Sequence, residues 1–235
     1  MSDVLTISNL KKGFVTPTGE QQLVIDVPHF SMQAGEHVAL RGESGSGKTT
    51  LLHLIAGILS ADSGSVVLDG TDMSRLSESA RDSGRALKIG YIFQTFNLLQ
   101  GYTALENVEL GMRFGTGVDH SRAGGLLERV GLADRLHYKP SQMSVGQQQR
   151  VAVARALANE PVLVLADEPT GNLDYRRAKE SLDLIRSVCE ESGAALLLVS
   201  HDRQVLDAFD TEYDLTELNR AATLPSSVEL DGGVA

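Results

Sequence analysis

The chain has 235 residues, of which 42% are hydrophobic, so it can bury the core of one domain, with or without an inserted lobe. Its formal net charge of -10 disfavours polyanionic partners, and no local basic patch offsets this charge, so nucleic acid is not an expected partner. The apolar runs fall far short of the ~20 residues that a transmembrane helix needs, so we expect no membrane span. The first residues lack the basic, apolar and small-residue sections of a signal peptide, and Cys189 is the only cysteine. We therefore expect a cytoplasmic chain without an intrachain disulfide.

The hydrophobic pattern predicts an α/β fold. The first ~35 residues and residues 65–68 predict β-strands bounded by turn residues. The region 96–158 is mostly helical, which predicts a helical lobe inserted into the α/β core of a single domain at 1–224, followed by a loose tail at 225–235. Short apolar runs predict central strands of a sheet covered on both faces, with helices between them. These strands are 38–40, 89–93, 162–166 and 195–199, and the helices are 49–58, 128–130 with its flanks, 147–158 and 176–190.

The segment GESGSGKTT, which begins at Gly42, fits the phosphate-loop pattern G-x-x-x-x-G-K-[ST] between a predicted strand and a predicted helix. Glycines allow the tight bend that points successive N–H groups at phosphate, and the following helix adds the positive end of its dipole. We expect Lys48 to reach the β- and γ-phosphates of a nucleotide and the Thr49 hydroxyl to ligate Mg²⁺. The alternative is a glycine-rich turn with a chance lysine, which the flanking strand and helix disfavour. The candidate nucleotide-binding residues are Gly42, Glu43, Ser44, Gly45, Ser46, Gly47, Lys48, Thr49 and Thr50.

Two adjacent acids follow the apolar run at 162–166, at the carboxyl end of a predicted strand, where open α/β sheets bind their ligands. Asp167 is placed to hold Mg²⁺, directly or through water. Glu168 is a candidate general base for an attacking water, and the alternation of strand side chains predicts that it points the other way from Asp167. The alternative is that both acids make helix caps or solvated contacts, which a phosphate loop in the same chain disfavours.

The sequence MSVGQQQRVAVARAL at 143–157 resembles the signature of ABC ATPases, which is written LSGGQ followed by Q-R-x-x-x-A-R-A-L. The family's other motifs are present in its order: Gln94 in YIFQTFNLL resembles the Q-loop, GNLD at 171–174 the D-loop, and His201 in LLLVSHD the switch histidine. Taken singly, each could be a surface polar group or a cap, but their shared order disfavours coincidence. Phe14 stands where the family has an aromatic residue under adenine, with core packing as the alternative.

The resemblance implies a P-loop NTPase with a RecA-like core, an N-terminal antiparallel β-subdomain and an inserted helical subdomain at about 96–158. It implies that Gln94 contacts the metal or the lytic water and that His201 contacts the γ-phosphate. Residues at the start of the signature helix, a position suited to an anion, would complete the ATP site of a second, identical subunit, so that the active unit is a homodimer. The implied catalytic residues are Lys48, Gln94, Glu168 and His201, the metal ligands Thr49, Gln94 and Asp167, and the further nucleotide contacts Ser144, Gly146, Gln147 and Asp174.

Two positions depart from the family's signature, since Val145 replaces a glycine and Met143 replaces a leucine. The methionine conserves volume and should matter little. We expect the signature to function because Ser144 and Gly146 are intact, provided that Val145 points into the helical lobe rather than at the partner's nucleotide.

The TGNLD ending and the residues after the Q-loop resemble the branch that contains lipoprotein-release, macrolide-export and cell-division ATPase subunits. The resemblance implies ATP and Mg²⁺ as cofactors, an integral membrane permease as partner, docked on residues 96–138, and a peripheral position on the cytoplasmic face of the plasma (inner) membrane. Export or mechanical transmission is favoured over import. Two alternatives are a transmembrane signalling module with no transported substrate and an ABC protein that acts on ribosomes or in DNA repair; the second generally carries two cassettes or a long coiled-coil insertion, which this chain lacks.

Overall fold

A computed structural model describes residues 3–171 and 173–223, and the tail predicted at 225–235 lies outside them. In this part of the chain the strands are β1 (Asp3–Val15), β2 (Gln21–Gln33), β3 (His37–Arg41), β4 (Ser63–Leu68), β5 (Thr71–Asp72), β6 (Ile89–Ile92), β7 (Leu163–Asp167), β8 (Ala195–Ser200) and β9 (Thr211–Asp214). The helices are α1 (Lys48–Ile55), α2 (Glu78–Lys88), α3 (Ala104–Arg113), α4 (His120–Arg129), α5 (Val145–Ala156), α6 (Tyr175–Ser192), α7 (Arg203–Leu206) and α8 (Leu215–Leu218). None of the helices in the described ranges is long and apolar enough to cross a membrane.

The strands form two sheets. One is antiparallel, with the order β2, β1, β4, β5, and the other is parallel, with the order β6, β7, β8, β3, β9. The N-terminal antiparallel sheet and the central parallel strands confirm the predicted fold class. The edge strand β9 was not predicted, because its sequence, TEYD, has no apolar run.

The parallel sheet is covered on both faces, as its continuous apolar strands predict. In β8, Leu196 and Leu198 pack in a core with the helices α3 to α6, whereas Leu197 and Val199 pack in a second core with α1 and the antiparallel sheet. All four side chains are fully buried. The parallel strands therefore end at one edge of a rigid, buried sheet, where their loops can converge on a single site.

The helices α3, α4 and α5 form the lobe predicted within 96–158. Each begins at a side-chain cap, provided by Thr103, Asp119 and Ser144. Helix α1 ends earlier than predicted, because the chain turns away at Gly57, whose φ is 66°. Helix α2 was not predicted; its sequence, ESARDSGRALK, has few apolar residues and none of them is buried.

Candidate nucleotide-binding site

Loops at the carboxyl ends of β3, β6, β7 and β8, with one residue of β2, enclose a cavity of about 290 Å³. This is the edge at which open parallel sheets bind ligands. The fold brings together here most of the residues that the sequence predicts for the site. The lining consists of Val24, Ser44, Gly45, Gly47, Lys48, Thr49, Thr50, Gln94, Asp167, Glu168 and His201.

The phosphate loop bends through glycines in the left-handed conformation, with φ of 82° at Gly45 and 96° at Gly47. At Gly47 the loop also approaches β2 so closely that a Cβ there would lie 3.0 Å from Ile25 Cδ1 and 3.3 Å from the Val24 carbonyl oxygen. Glycine alone meets both requirements without strain. Helix α1 begins at the next residue, so its first N–H groups, which have no partner within the helix, lie beside the cavity.

Lys48 is a buried cation at the centre of this arrangement, with 7% of the residue exposed. Its Nζ donates to the carbonyl oxygens of Gly42 at 2.6 Å and Glu43 at 2.8 Å and lies 3.4 Å from Glu168 Oε1. Gly42 and Glu43, which do not line the cavity, thus contribute by holding the lysine. Ser46, also outside the lining, bonds through its N–H to the Glu43 carbonyl oxygen.

Asp167 is the last residue of β7 and is buried, with 7% exposed. Burial raises the pKa of its carboxyl group, the neighbouring Glu168 raises it further, and a hydrogen bond from the Thr49 side chain opposes both. Thr49 and Asp167, predicted as metal ligands from distant parts of the sequence, line the same cavity.

Glu168 follows the strand in a left-handed conformation, with φ of 44°. Its carboxylate accepts hydrogen bonds from Ser200 Oγ at 3.0 Å and from His201 Nδ1 at 2.7 Å. The prediction that it points away from Asp167 is wrong, because strand alternation no longer applies beyond the end of β7, and both side chains line the same cavity. The two acids and His201 form one polar cluster.

Gln94 lies just beyond β6, lines the cavity, and places its side-chain nitrogen 3.5 Å from where a Cβ of Gly171 would lie. Two and three residues after Gln94, Phe96 and Asn97 are both left-handed, with φ of 59° and 49°. Arg155 of the signature helix α5 donates to the Phe96 carbonyl oxygen at 2.5 Å and to that of Asn97 at 2.7 Å. Burial lowers the pKa of Arg155 to about 10. The signature helix thus holds the segment that follows Gln94.

The signature residues lie outside this cavity. Ser144 caps α5 and forms a reciprocal capping box with Gln147, in which Gln147 N donates to Ser144 Oγ at 3.3 Å and Ser144 N donates to Gln147 Oε1 at 3.0 Å. Val145 is 43% exposed, so the condition that its side chain points into the helical lobe is not met, and the function of the signature stays a prediction. A separate cavity of about 200 Å³ is lined by Ser144, Gly146, Gln147, Gln149, Arg150, Arg177, Glu180 and Ser181.

Two further candidates do not line the first cavity. Asp174 caps α6 by accepting from Arg177 N at 3.1 Å and pairs with the Arg177 side chain at 3.2 Å. Phe14 is 41% exposed, pairs with Gln22 of β2 and lies under Lys12, whose Nζ is 5.6 Å from the ring centroid. Phe14 is therefore not packed in the core, and that alternative interpretation of it is wrong.

A family model described as "ABC transporter" matches residues 25–171. The chain belongs to the ABC transporter family. An uncharacterised ABC transporter ATP-binding protein of Thermotoga maritima is 49% identical to it over 76% of this chain and 77% of that protein. The lipoprotein-releasing system ATP-binding protein LolD of Pseudomonas syringae pv. tomato is 44% identical over 89% of this chain and 94% of that protein.

Solved structures of ABC cassettes share the fold. A dimeric structure of a post-hydrolysis state of the ATP-binding cassette MJ0796, bound to ADP and Pi, has a TM-score of 0.82 and 34% identity, covering 92% of this chain and 95% of that one. A second dimeric structure of MJ0796 has a TM-score of 0.79 and 35% identity over 89% and 93%. These similarities confirm the predicted family, the predicted fold and the prediction that the chain is an ATPase subunit of an ABC transporter.

Sequence reasoning missed three residues that shape the site of this ABC ATPase: Val24, Arg155 and Asn219. Val24 lines the cavity from an N-terminal strand. Arg155 stands within the quoted signature, but its partners are 58 and 59 positions away. Asn219 is bonded to β2 across 195 positions. Only the apolar strand pattern around Val24 carried any signal, and it indicated burial rather than a site.

Proposed function

We propose that this ABC ATPase binds ATP and Mg²⁺ in the cavity at the carboxyl ends of the parallel strands and hydrolyses the γ-phosphate there. The observation that carries the proposal is the convergence of one buried cation, two buried acids and a histidine beside a glycine-bent loop at a helix start. The loop N–H groups and Lys48 suit a triphosphate, since both present positive charge in a site of low dielectric.

The residues also fit Mg²⁺. The ion prefers oxygen ligands and is held in such sites by one or two carboxylates together with substrate phosphates and water. Thr49, Asp167 and Gln94, which all carry side-chain oxygens, line the same cavity. Burial of Asp167 disfavours its charged form, a cost that a cation would offset. When bound, Mg²⁺ supplies charge neutralisation on the transferring phosphoryl group.

Glu168 is the proposed general base. It accepts the proton of the water that attacks the γ-phosphate, while Ser200 and His201 hold its two carboxylate oxygens in a fixed orientation. Lys48, held by the carbonyl oxygens of Gly42 and Glu43, stabilises the charge that develops on the γ-phosphate. Gln94 and His201 approach the reacting atoms from the loops that follow β6 and β8.

The test compares Glu168→Gln, Lys48→Ala and Glu128→Gln, the last an exposed glutamate of α4 that serves as the control. Glu168→Gln should retain ATP binding and lose turnover, with accumulation of an ATP-bound dimer. Lys48→Ala should weaken ATP binding itself, and Glu128→Gln should match the unaltered protein in both assays. Normal hydrolysis by Glu168→Gln would remove its assignment as general base.

The second subunit is proposed to complete each ATP site. Ser144, Gly146 and Gln147 lie at a helix start that suits an anion, but they do not line the cavity that contains Lys48. A partner chain arranged head to tail would bring its signature to this cavity, and the similar MJ0796 cassettes are dimeric. Ser144→Arg should block ATP-driven dimerisation of the Glu168→Gln protein and leave ATP binding intact, whereas Ser79→Arg, on the exposed surface of α2, should leave both intact. Dimerisation of the Ser144→Arg protein would contradict the composite site.

A membrane permease is the proposed partner, and the chain is proposed to lie peripherally on the cytoplasmic face of the membrane. Relatives 44% and 43% identical are ATP-binding proteins of lipoprotein-releasing systems, which favours export or mechanical transmission. Apolar side chains are exposed in the segment before α3 and directly after that helix: Leu99 by 42%, Tyr102 by 45% and Phe114 by 73%. This apolar surface suits a permease contact.

Purification of tagged Glu168→Gln protein from its native membranes with ATP and Mg²⁺ tests the partner. Recovery of a permease with a large extracytoplasmic domain would support this assignment. A partner complex that recruits a hydrolase and has no transported substrate would instead support a signalling module, and recovery of soluble proteins alone would contradict both.

A further inference from the structure

The chain after β9 returns to the nucleotide site. It forms α8 (Leu215–Leu218) and then presents Asn219, which is 1% exposed. This segment lies beyond the residues 25–171 that match the family model. A fully buried amide needs partners for its two donors and its acceptor, and those partners show what the segment holds in place.

The Asn219 side chain joins this C-terminal segment to two parts of the site. Its Nδ2 donates to the Val24 carbonyl oxygen at 2.8 Å and makes a longer contact of 3.5 Å with that of Ser46. Its Oδ1 accepts from Asp26 N at 2.7 Å and from Ala221 N at 3.3 Å. A reversed amide would face two carbonyl oxygens with its oxygen and two N–H groups with its nitrogen, so these partners fix its orientation.

The atoms that Asn219 holds are those at which the phosphate loop meets β2. Gly47 packs against the same Val24 carbonyl oxygen, since a Cβ on Gly47 would lie 3.3 Å from it. Val24 and Gly47 both line the cavity. The amide of Asn219 therefore sits behind the wall of the proposed ATP site.

The contact with Ser46 bears on the phosphate-binding N–H groups. The carbonyl of Ser46 and the N–H of Gly47 belong to one peptide, and in a trans peptide they point in opposite directions. A donor that attracts the Ser46 carbonyl oxygen thus favours the orientation in which the Gly47 N–H points away from Asn219, and Gly47 itself lines the cavity.

We propose that Asn219 is a positioning residue for nucleotide binding: it fixes the junction of β2 and the phosphate loop and thereby orients a loop N–H group for phosphate. This inference rests on the proposed function of the cavity as the ATP site. The C-terminal segment as far as Ala221 is then part of the nucleotide-binding apparatus.

Asn219→Asp separates the two halves of the amide. The aspartate keeps an acceptor for Asp26 N and Ala221 N but replaces the donor to Val24 and Ser46 by an oxygen. The control is Asn107→Asp, because Asn107 is equally buried and its Nδ2 also donates to backbone carbonyl oxygens, those of Leu99, Tyr102 and Thr103, but in the helical lobe.

The readout is the dissociation constant for ADP, measured with each variant at a temperature where circular dichroism shows it folded. Asn219→Asp should bind ADP about tenfold more weakly than the unaltered protein, the effect of one lost polar contact of about 1.4 kcal/mol, while Asn107→Asp lowers the melting temperature and leaves ADP affinity unchanged. ADP affinity that is unchanged in Asn219→Asp, or equally reduced in both variants, would overturn the inference. ADP affinity that is unchanged in Lys48→Ala would overturn the proposed site itself and this inference with it.

A second measurement needs no substitution. On addition of ADP to the unaltered protein, amide hydrogen exchange should slow both in the phosphate loop and at Ala221, whose N–H bonds to Asn219 Oδ1. Protection of the loop without any change at Ala221 would also count against a positioning role.

Discussion

Arg155→Gln should detach the signature helix from the segment that follows Gln94. The guanidinium donates to the carbonyl oxygens of Phe96 and Asn97, and glutamine is too short to reach both. The left-handed backbone at these residues then loses its support, and Gln94, two positions before Phe96, loses its fixed place in the cavity.

The size of the effect follows from two opposing contributions. Each charge-assisted hydrogen bond stabilises the fold by about 1.5–3 kcal/mol, whereas a left-handed conformation at a non-glycine residue costs on the order of 1–3 kcal/mol. Asparagine tolerates the left-handed conformation, so the strain falls mainly on Phe96. The two bonds to Arg155 outweigh this strain, and their loss lets the loop relax. We expect kcat for ATP hydrolysis to fall about 10- to 100-fold, as for other displacements of a catalytic group. KM for ATP should change little, because the contacts of Lys48 are untouched.

The assay is steady-state ATP hydrolysis at a temperature where all variants are folded. Arg186→Gln is the matched control, since Arg186 Nη1 also donates to a backbone carbonyl oxygen, that of Ala208, at 2.7 Å; it should lower the melting temperature without lowering kcat. Arg155→Lys should recover part of kcat, because an ammonium group can reach one of the two carbonyl oxygens. An Arg155→Gln protein that is destabilised but retains normal kcat would refute the reasoning.

Three further outcomes follow from the described residues. Burial raises the pKa of Cys189 to about 12, so a thiol reagent at neutral pH should label it only after unfolding, and rapid labelling of the native chain would contradict this. Asp167→Asn should raise the melting temperature of the protein without nucleotide by a few degrees, because it removes a buried charge. The same variant should lose Mg²⁺-dependent hydrolysis. A lower melting temperature would show that the charge of Asp167 does not destabilise the fold. A hydrogen bond from Thr216, with the nearby Arg41, lowers the pKa of Asp214. The stability that results from this shift is present above the unfolded pKa of about 3.9 and is lost as pH falls through the folded pKa. Asp214→Asn should therefore flatten the loss of stability measured below pH ~4.

The sequence by itself determined features that depend on local chemistry. The phosphate loop at 42–50 was predictable because its bends require glycine at fixed spacing, whatever surrounds them. The central strands were predictable because a strand buried on both faces must be apolar throughout. Asp167 and Glu168 were predictable because they follow an apolar strand at the edge where open sheets bind ligands. The order of the motifs then indicated the family and added Gln94 and His201 as candidate site residues.

Only the tertiary structure decided how those residues are held. The direction of Glu168 depends on a left-handed turn beyond the end of β7, and the exposure of Val145 depends on how α5 packs in the lobe. The roles inferred for Arg155 and Asn219 rest on hydrogen bonds to backbone carbonyl oxygens 58 to 195 positions away. Every residue carries a carbonyl oxygen, so no residue type in the sequence marks which of them a distant side chain will bind. That choice is made when the core packs and brings the segments together.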